Sequence, residues 1–163
     1  PKIKCMISTT HGEGFGLPLF EAAYSALPVV APGWSGQCDF LYAPYQGTDA
    51  KKKKSKVKQP YFSEVDYTLG PIPEYAVWEG VLQKDSMWCY PQEGSFKMKL
   101  RRIRKNYKKW EKRATTLQKW ILENFEEELI YKKFIDNIVD KEEKKSDVDA
   151  WLRELDLDIV ESS

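Results

Sequence analysis

The first 32 residues constrain the fold most, because a glycine-rich turn stands between an apolar segment and a helical pattern, and a second apolar segment follows. Ile3-Lys4-Cys5-Met6-Ile7 is short, mostly apolar and bounded by Ser8-Thr9-Thr10, which suits a buried strand better than a helix. Gly12, Gly14 and Gly16 then alternate with Glu13 and Phe15. Leu17 to Leu27 reads as a helix, with Pro18 in the first turn, where a missing N–H does little harm. Leu27-Pro28-Val29-Val30-Ala31-Pro32 reads as a second buried strand, Pro28 sitting at its start. Two strands joined through a helix imply a parallel sheet, so the expected class is α/β.

Beyond this unit the pattern is less regular. Gly33-Trp34-Ser35-Gly36 is a turn, and Gln37 to Tyr42 forms one helical turn. Lys51, Lys52, Lys53, Lys54, Lys56 and Lys58 mark an exposed loop. Val65-Asp66-Tyr67 and Met87-Trp88-Cys89-Tyr90 read as short strands, with Gly70-Pro71-Ile72-Pro73 as punctuation between them. From Phe96, apolar residues recur at steps of three and four through Leu100, Ile103, Tyr107, Trp110, Ala114, Leu117 and Ile121. That period predicts one long amphipathic helix, or two joined at a kink, with Ser95 as the N-cap. Leu129-Ile130, Phe134 and Ile138 continue as another helix, and Ser146 with Asp149 resembles a capping box before Val148, Trp151, Leu152 and Leu155. The expected organisation is one domain over 1–140 and an acidic helical tail over 141–163.

At 163 residues, 42% hydrophobic, 31% charged and 13% aromatic, the chain has globular rather than collagen-like or disordered composition. No run approaches the roughly 18 apolar residues of a membrane helix, and no signal-peptide pattern opens the chain, so a cytoplasmic protein is expected. Cys5, Cys38 and Cys89 have no C-x-x-C spacing and His11 is the single histidine, so no metal site is expected. The net charge of +1 hides a basic stretch from Lys97 to Arg113, whose only acid is Glu111, and an acid-rich sequence from Glu123 onward. The chain begins at Pro1, without an initiator methionine, and enters a strand pattern at once, which leads us to expect a longer natural chain.

A strand feeding a glycine loop at a helix start brings backbone donors and the positive end of the helix dipole to one place, which suits a phosphate or diphosphate. The G-x-G-x-G spacing departs from the G-x-G-x-x-G of dinucleotide folds. Two carboxylates add to it. Glu13 lies in the loop and Glu21 in the helix, placed so that both could face one crevice at the carboxyl edge of the sheet.

His11-Gly12-Glu13-Gly14-Phe15-Gly16-Leu17-Pro18-Leu19-Phe20-Glu21-Ala22-Ala23 resembles the E-x7-E signature of retaining GT-B glycosyltransferases (group 1), with Glu13 and Glu21 at that spacing. Leu27-Pro28-Val29-Val30-Ala31 is similar to the family's next strand, and Ser35-Gly36 stands where a small-residue turn closes on the donor. The resemblance is specific over residues 3 to 42 and looser beyond, where Asp85-Ser86-Met87-Trp88 and the long helices fit the end of such a donor domain. It implies a truncated Rossmann-like parallel sheet and transfer of a hexose, with retention, from a nucleotide-diphosphate sugar to a glycan, lipid or protein acceptor. In that reading Glu13 is the catalytic candidate, contacting the transferred hexose, and Glu21 holds the ribose hydroxyls. The backbone of Gly14, Phe15, Gly16 and Leu17 approaches the donor; His11, Ser35 and Gly36 are further candidates. No metal or other cofactor is implied. The family's diphosphate-binding Arg and Lys and its acceptor-binding domain precede this motif, so the resemblance implies a missing N-terminal domain and an inactive fragment. An exposed sheet edge beside Ile3–Ile7 would then be open to a second copy.

Two other classes remain in view. An NAD-dependent oxidoreductase would use the same glycine loop, although its third glycine stands one position early and no hydride-transfer acid or base is evident. A nucleic-acid-binding module would use the basic helix from Lys97 to Arg113, whose charges equally suit a helix docked on a sheet with its polar side in water. For the lysines from Lys51 to Lys58, a solvated loop outweighs a surface for an anionic acceptor or a membrane.

Overall fold

The computed structural model describes residues 3–45 and 57–138, which form a mixed α/β architecture with a three-stranded parallel sheet, two antiparallel strand pairs and five α-helices. β2 (Val29–Pro32) is central, and all four of its residues are buried. It pairs in parallel with β1 (Met6–Ile7), Met6 lying opposite Val29. On its other side it pairs in parallel with β5 (Ser63–Val65), Val30 lying opposite Ser63 and Pro32 opposite Val65. The β-α-β order and the parallel pairing expected from the first 32 residues are present.

The first strand differs from expectation in length and burial. Only Met6–Ile7 pair, at the sheet edge, and Ile3 and Ile7 are 77% and 42% exposed. The cause is one-sided pairing: among the described residues no strand covers the outer side of β1. The first helix, α1 (Leu17–Tyr24), also stops before the expected Leu27. Ala26 turns left-handed at φ 55°, and the amides of Ala26 and Leu27 close back on Ala23 O and Ala22 O. Leu19, Ala22 and Ala23 are its buried face.

α2 (Cys38–Leu41) is the expected helical turn and runs directly into β3 (Tyr42–Pro44). β3 pairs antiparallel with β4 (Lys58–Pro60), Tyr42 facing Pro60 and Pro44 facing Lys58. Lys58, expected in a loop, is therefore a strand residue, and Lys51–Lys56 lie outside the described residues. The expected strand over Val65–Tyr67 is divided at Asp66: Val65 ends β5 and Tyr67 begins β6 (Tyr67–Pro71). β6 pairs antiparallel with β7 (Met87–Pro91) over its whole length, so Gly70 and Pro71 sit inside a strand rather than punctuating the chain.

The apolar period from Phe96 is realised as two helices, α3 (Glu93–Lys105) and α4 (Tyr107–Asn124), parted at Asn106 with φ −124° and ψ 42°. Ser95 is not the N-cap. Gln92 precedes the helix in extended conformation, and Ser95 is a buried residue within it. Its Oγ donates to Asp66 Oδ2 at 2.9 Å and accepts the Asp66 N–H at 3.0 Å, tying α3 to the end of β5. Ile103 packs with Val30 and Val65 into a core that Phe96, Leu100, Tyr107 and Trp110 cover. Each such aliphatic side chain contributes about 1.5–3 kcal/mol by leaving water. Ala114, Leu117 and Ile121 are the buried face of α4.

The chain divides into two units, Pro1–Glu123 and Asn124–Ser163. The second contains α5 (Glu127–Ile138), where Ile130, Phe134 and Ile138 lie exposed at steps of four. The boundary at 140, the acidic tail over 141–163 and the capping box at Ser146 and Asp149 lie outside the described residues. Among those residues no helix is long and apolar enough to cross a membrane.

Candidate functional site

The carboxyl end of β1 opens into the glycine loop, and the loop is shaped by backbone conformations that side chains resist. Gly16 is the N-cap of α1 at φ 85° and ψ 49°, the left-handed region that glycine enters without strain. Leu19 and Phe20 both donate to Gly16 O, and Pro18 has no N–H. Phe15 packs its ring on Phe20 and Phe40, at centroid distances of 5.3 and 5.1 Å, which leaves its backbone rather than its side chain as the functional part.

The turn after β2 closes on this loop. Ser35 Oγ accepts the Glu13 N–H at 3.1 Å and donates to Glu13 O at 2.6 Å, while the Gly36 N–H donates to the same carbonyl at 3.0 Å. Ser35 adopts φ 71°, an uncommon state for a non-glycine residue that the paired bonds to Glu13 hold in place. A Cβ on Gly36 would overlap Gly14 O and lie 2.8 Å from Phe15 Cα, so only glycine admits this approach. Ser35 and Gly36 thus fix the backbone that carries Glu13.

Glu13 borders a cleft of about 390 Å³ whose wall includes Ser8, Thr9 and Thr10 after β1 and Pro18 and Leu19 of α1. Its backbone is pinned on both polar atoms, while its side chain stands at the edge of a space lined by hydroxyls. Glu21 is exposed on α1, on the side that also exposes Leu17 and Tyr24, and it is not among the residues lining that cleft. The structure therefore brings Glu13, Ser35 and Gly36 together and sets Glu21 on the neighbouring helix surface.

His11 is exposed yet held on three counts. Its Nδ1 lies 2.7 Å from Cys89 O, its own carbonyl accepts the Cys89 N–H at 3.0 Å, and its ring stacks on Trp88 at 4.6 Å and 3°. A carbonyl only accepts, so Nδ1 carries the proton, and in the neutral ring Nε2 is left as an acceptor. Tyr90 closes on the same ring at 5.0 Å. The periodicity of the sequence carried no sign that β7 supports this histidine, because pairing over 78 residues leaves no local pattern.

Burial pushes the Cys38 thiol up from its ordinary value, and the carboxylates of Glu64 and Asp39 push it further, which disfavours a thiolate nucleophile there. Tyr42 is likewise raised, first by burial and then by the 2.6 Å hydrogen bond it donates to Glu64. Among the described residues, no three His, Cys, Asp or Glu side chains are grouped to hold a metal ion.

Comparisons of the chain with protein-family models, with curated proteins and with solved structures found no match.

Proposed function

We propose that this chain carries the donor-binding part of a retaining glycosyltransferase of the GT-B type, with a truncated Rossmann-like sheet and a nucleotide-diphosphate sugar as donor substrate. The observation that carries the reading is the locked loop: a parallel β-α-β unit presents Glu13 beside a cleft at the carboxyl edge of β1, with its backbone clamped by Ser35 and Gly36. Ligands of open α/β sheets bind at that edge. Glu13 stabilises the oxocarbenium-like sugar centre that develops as the nucleotide diphosphate leaves. The amides of Gly16 and Leu17, at the positive end of α1, meet the charge gathering on the leaving group. Glu21 holds the ribose hydroxyls from the exposed side of α1.

The test is thermal stabilisation by a panel of UDP-, GDP- and ADP-sugars, with NAD for comparison, on the wild type and on Glu21→Ala. We expect one nucleotide sugar to raise the melting temperature, and Glu21→Ala to weaken that binding about ten- to a hundredfold, as loss of a charged hydrogen bond of about 1.5–3 kcal/mol requires. Stabilisation by NAD alone would favour the oxidoreductase reading, and unchanged donor affinity in the variant would remove Glu21 from the site.

A further inference from the structure

The turn that clamps Glu13 is itself braced from behind by a polar pair. Tyr42, the first residue of β3, donates its hydroxyl to Oε1 of Glu64, the middle residue of β5, at 2.6 Å. These strands belong to different sheets, β3 pairing with β4 and β5 with β2, so the bond bridges the two. Both heads lie against Gly33, the first residue after β2: a Cβ there would overlap Tyr42 Oη and stand 2.5 Å from Glu64 Oε1. A second phenol reaches the same residue, Tyr67 donating to Gly33 O at 3.4 Å, and the Tyr67 ring packs on Trp34 at 6.1 Å.

A polar pair is a poor choice for filling space. Both side chains are half-buried, and the ion pairs among the described residues are Lys97 with Glu93 and Lys99 with Asp66, so no cation there meets the Glu64 carboxyl. Holding a half-buried carboxyl with one phenol costs desolvation that an aliphatic side chain avoids. What the pair supplies is direction, because a hydrogen bond fixes where both heads sit and apolar packing does not. From Gly33 the chain runs two residues to Ser35, whose left-handed φ of 71° has to be held, and three to Gly36. The Ser35 hydroxyl and the Gly36 N–H then hold both backbone polar atoms of Glu13. Contact therefore passes without a gap from Glu64 and Tyr42 to Gly33, and from Ser35 and Gly36 to Glu13.

We infer that Tyr42 and Glu64 are positioning residues for the donor site: through the turn over 33–36 they set Glu13 against the transferred sugar, and so they govern the preference for a nucleotide sugar over the bare nucleotide diphosphate. This rests on the donor reading of Glu13. Neither residue touches the donor. The effect falls on the sugar end because the brace ends at Glu13, whereas Glu21 meets the nucleotide end from the exposed side of α1, which the brace does not reach.

Isothermal titration of the full chain with UDP-glucose and UDP, GDP-mannose and GDP, and ADP-glucose and ADP gives the ratio of the two affinities for each base. For the pair that the wild type binds, we expect Tyr42→Phe and Glu64→Leu each to lower the preference for the sugar-bearing ligand about three- to tenfold, as loss of one hydrogen bond does, with the bare diphosphate bound as before. Glu64→Gln keeps an acceptor for the Tyr42 hydroxyl and should hold the ratio within about twofold of the wild type. Ile103→Val, which weakens the core away from the turn, should lower the melting temperature and leave the ratio alone. An unchanged ratio in Tyr42→Phe and Glu64→Leu, or equal losses for both members of the pair, overturns the positioning role and leaves the donor site standing. So does a Glu64→Gln ratio as low as that of Glu64→Leu, or a wild type that binds both members equally. A wild type that binds none of these ligands removes the donor reading and this inference with it.

Discussion

Around Glu13, backbone meets backbone, and in α3 and α4, side chain meets side chain. The loop is held because Gly36 lies against Gly14 and Phe15 and because Ser35 spends its one hydroxyl on both polar backbone atoms of Glu13. The helices are held by Ile103, Leu117 and Ile121, all buried, and around Ile103 the flexible side chains of Phe96 and Leu100 can shift to relieve part of a change in volume. A peptide group has no rotamers to yield with. The loop is therefore all-or-none in its tolerance, and the helices are graded.

The comparison breaks most visibly at Gly36. Gly36→Ala places a methyl against the Gly14 carbonyl, and we expect a loss of about 3–5 kcal/mol in denaturant unfolding together with loss of nucleotide-sugar stabilisation. A loss below about 1 kcal/mol would mean that the turn and the loop separate freely. Ile103→Val, which removes one methylene from a 3% exposed position, should cost about 0.5–1.5 kcal/mol in the same assay and leave donor binding intact. A larger loss would show that the helix packing is as rigid as the loop.

The gentlest effect is alkaline. The Cys38 thiol and the Tyr42 phenol are both raised by burial, with Glu64 adding to each. Their contribution is full below the ordinary values of 9.0 and 10.0 and is lost as pH rises above these toward the raised values of the folded protein, because the unfolded chain ionises first. Melting temperature should fall progressively above about pH 9, and Cys38→Ala should flatten the first part of that fall. A profile with no alkaline decline would contradict the burial of both groups.

What was legible in the sequence was what local pattern specifies. The alternation of Gly12, Gly14 and Gly16, the apolar run of β2 and the helical period after Phe96 all placed their elements. β3 and β4 escaped because each is three residues long, contains a proline, and finds its partner only across the connection between Pro44 and Lys58. Ser95 misled for a different reason: serine near a helix start favours the cap, but here Asp66 competes for its hydroxyl and Gln92 starts the helix three residues earlier. The support of His11 by Cys89 and Trp88 is likewise a product of tertiary contact alone.

The pairing of β3 with β4 has one more consequence. It holds Pro44 opposite Lys58, two residues far apart in sequence. Because β3 follows α2 without a break, parting of this strand pair is the event through which a disturbance at Lys58 would reach Leu41, and a distance measured between labels at positions 44 and 58 reports it.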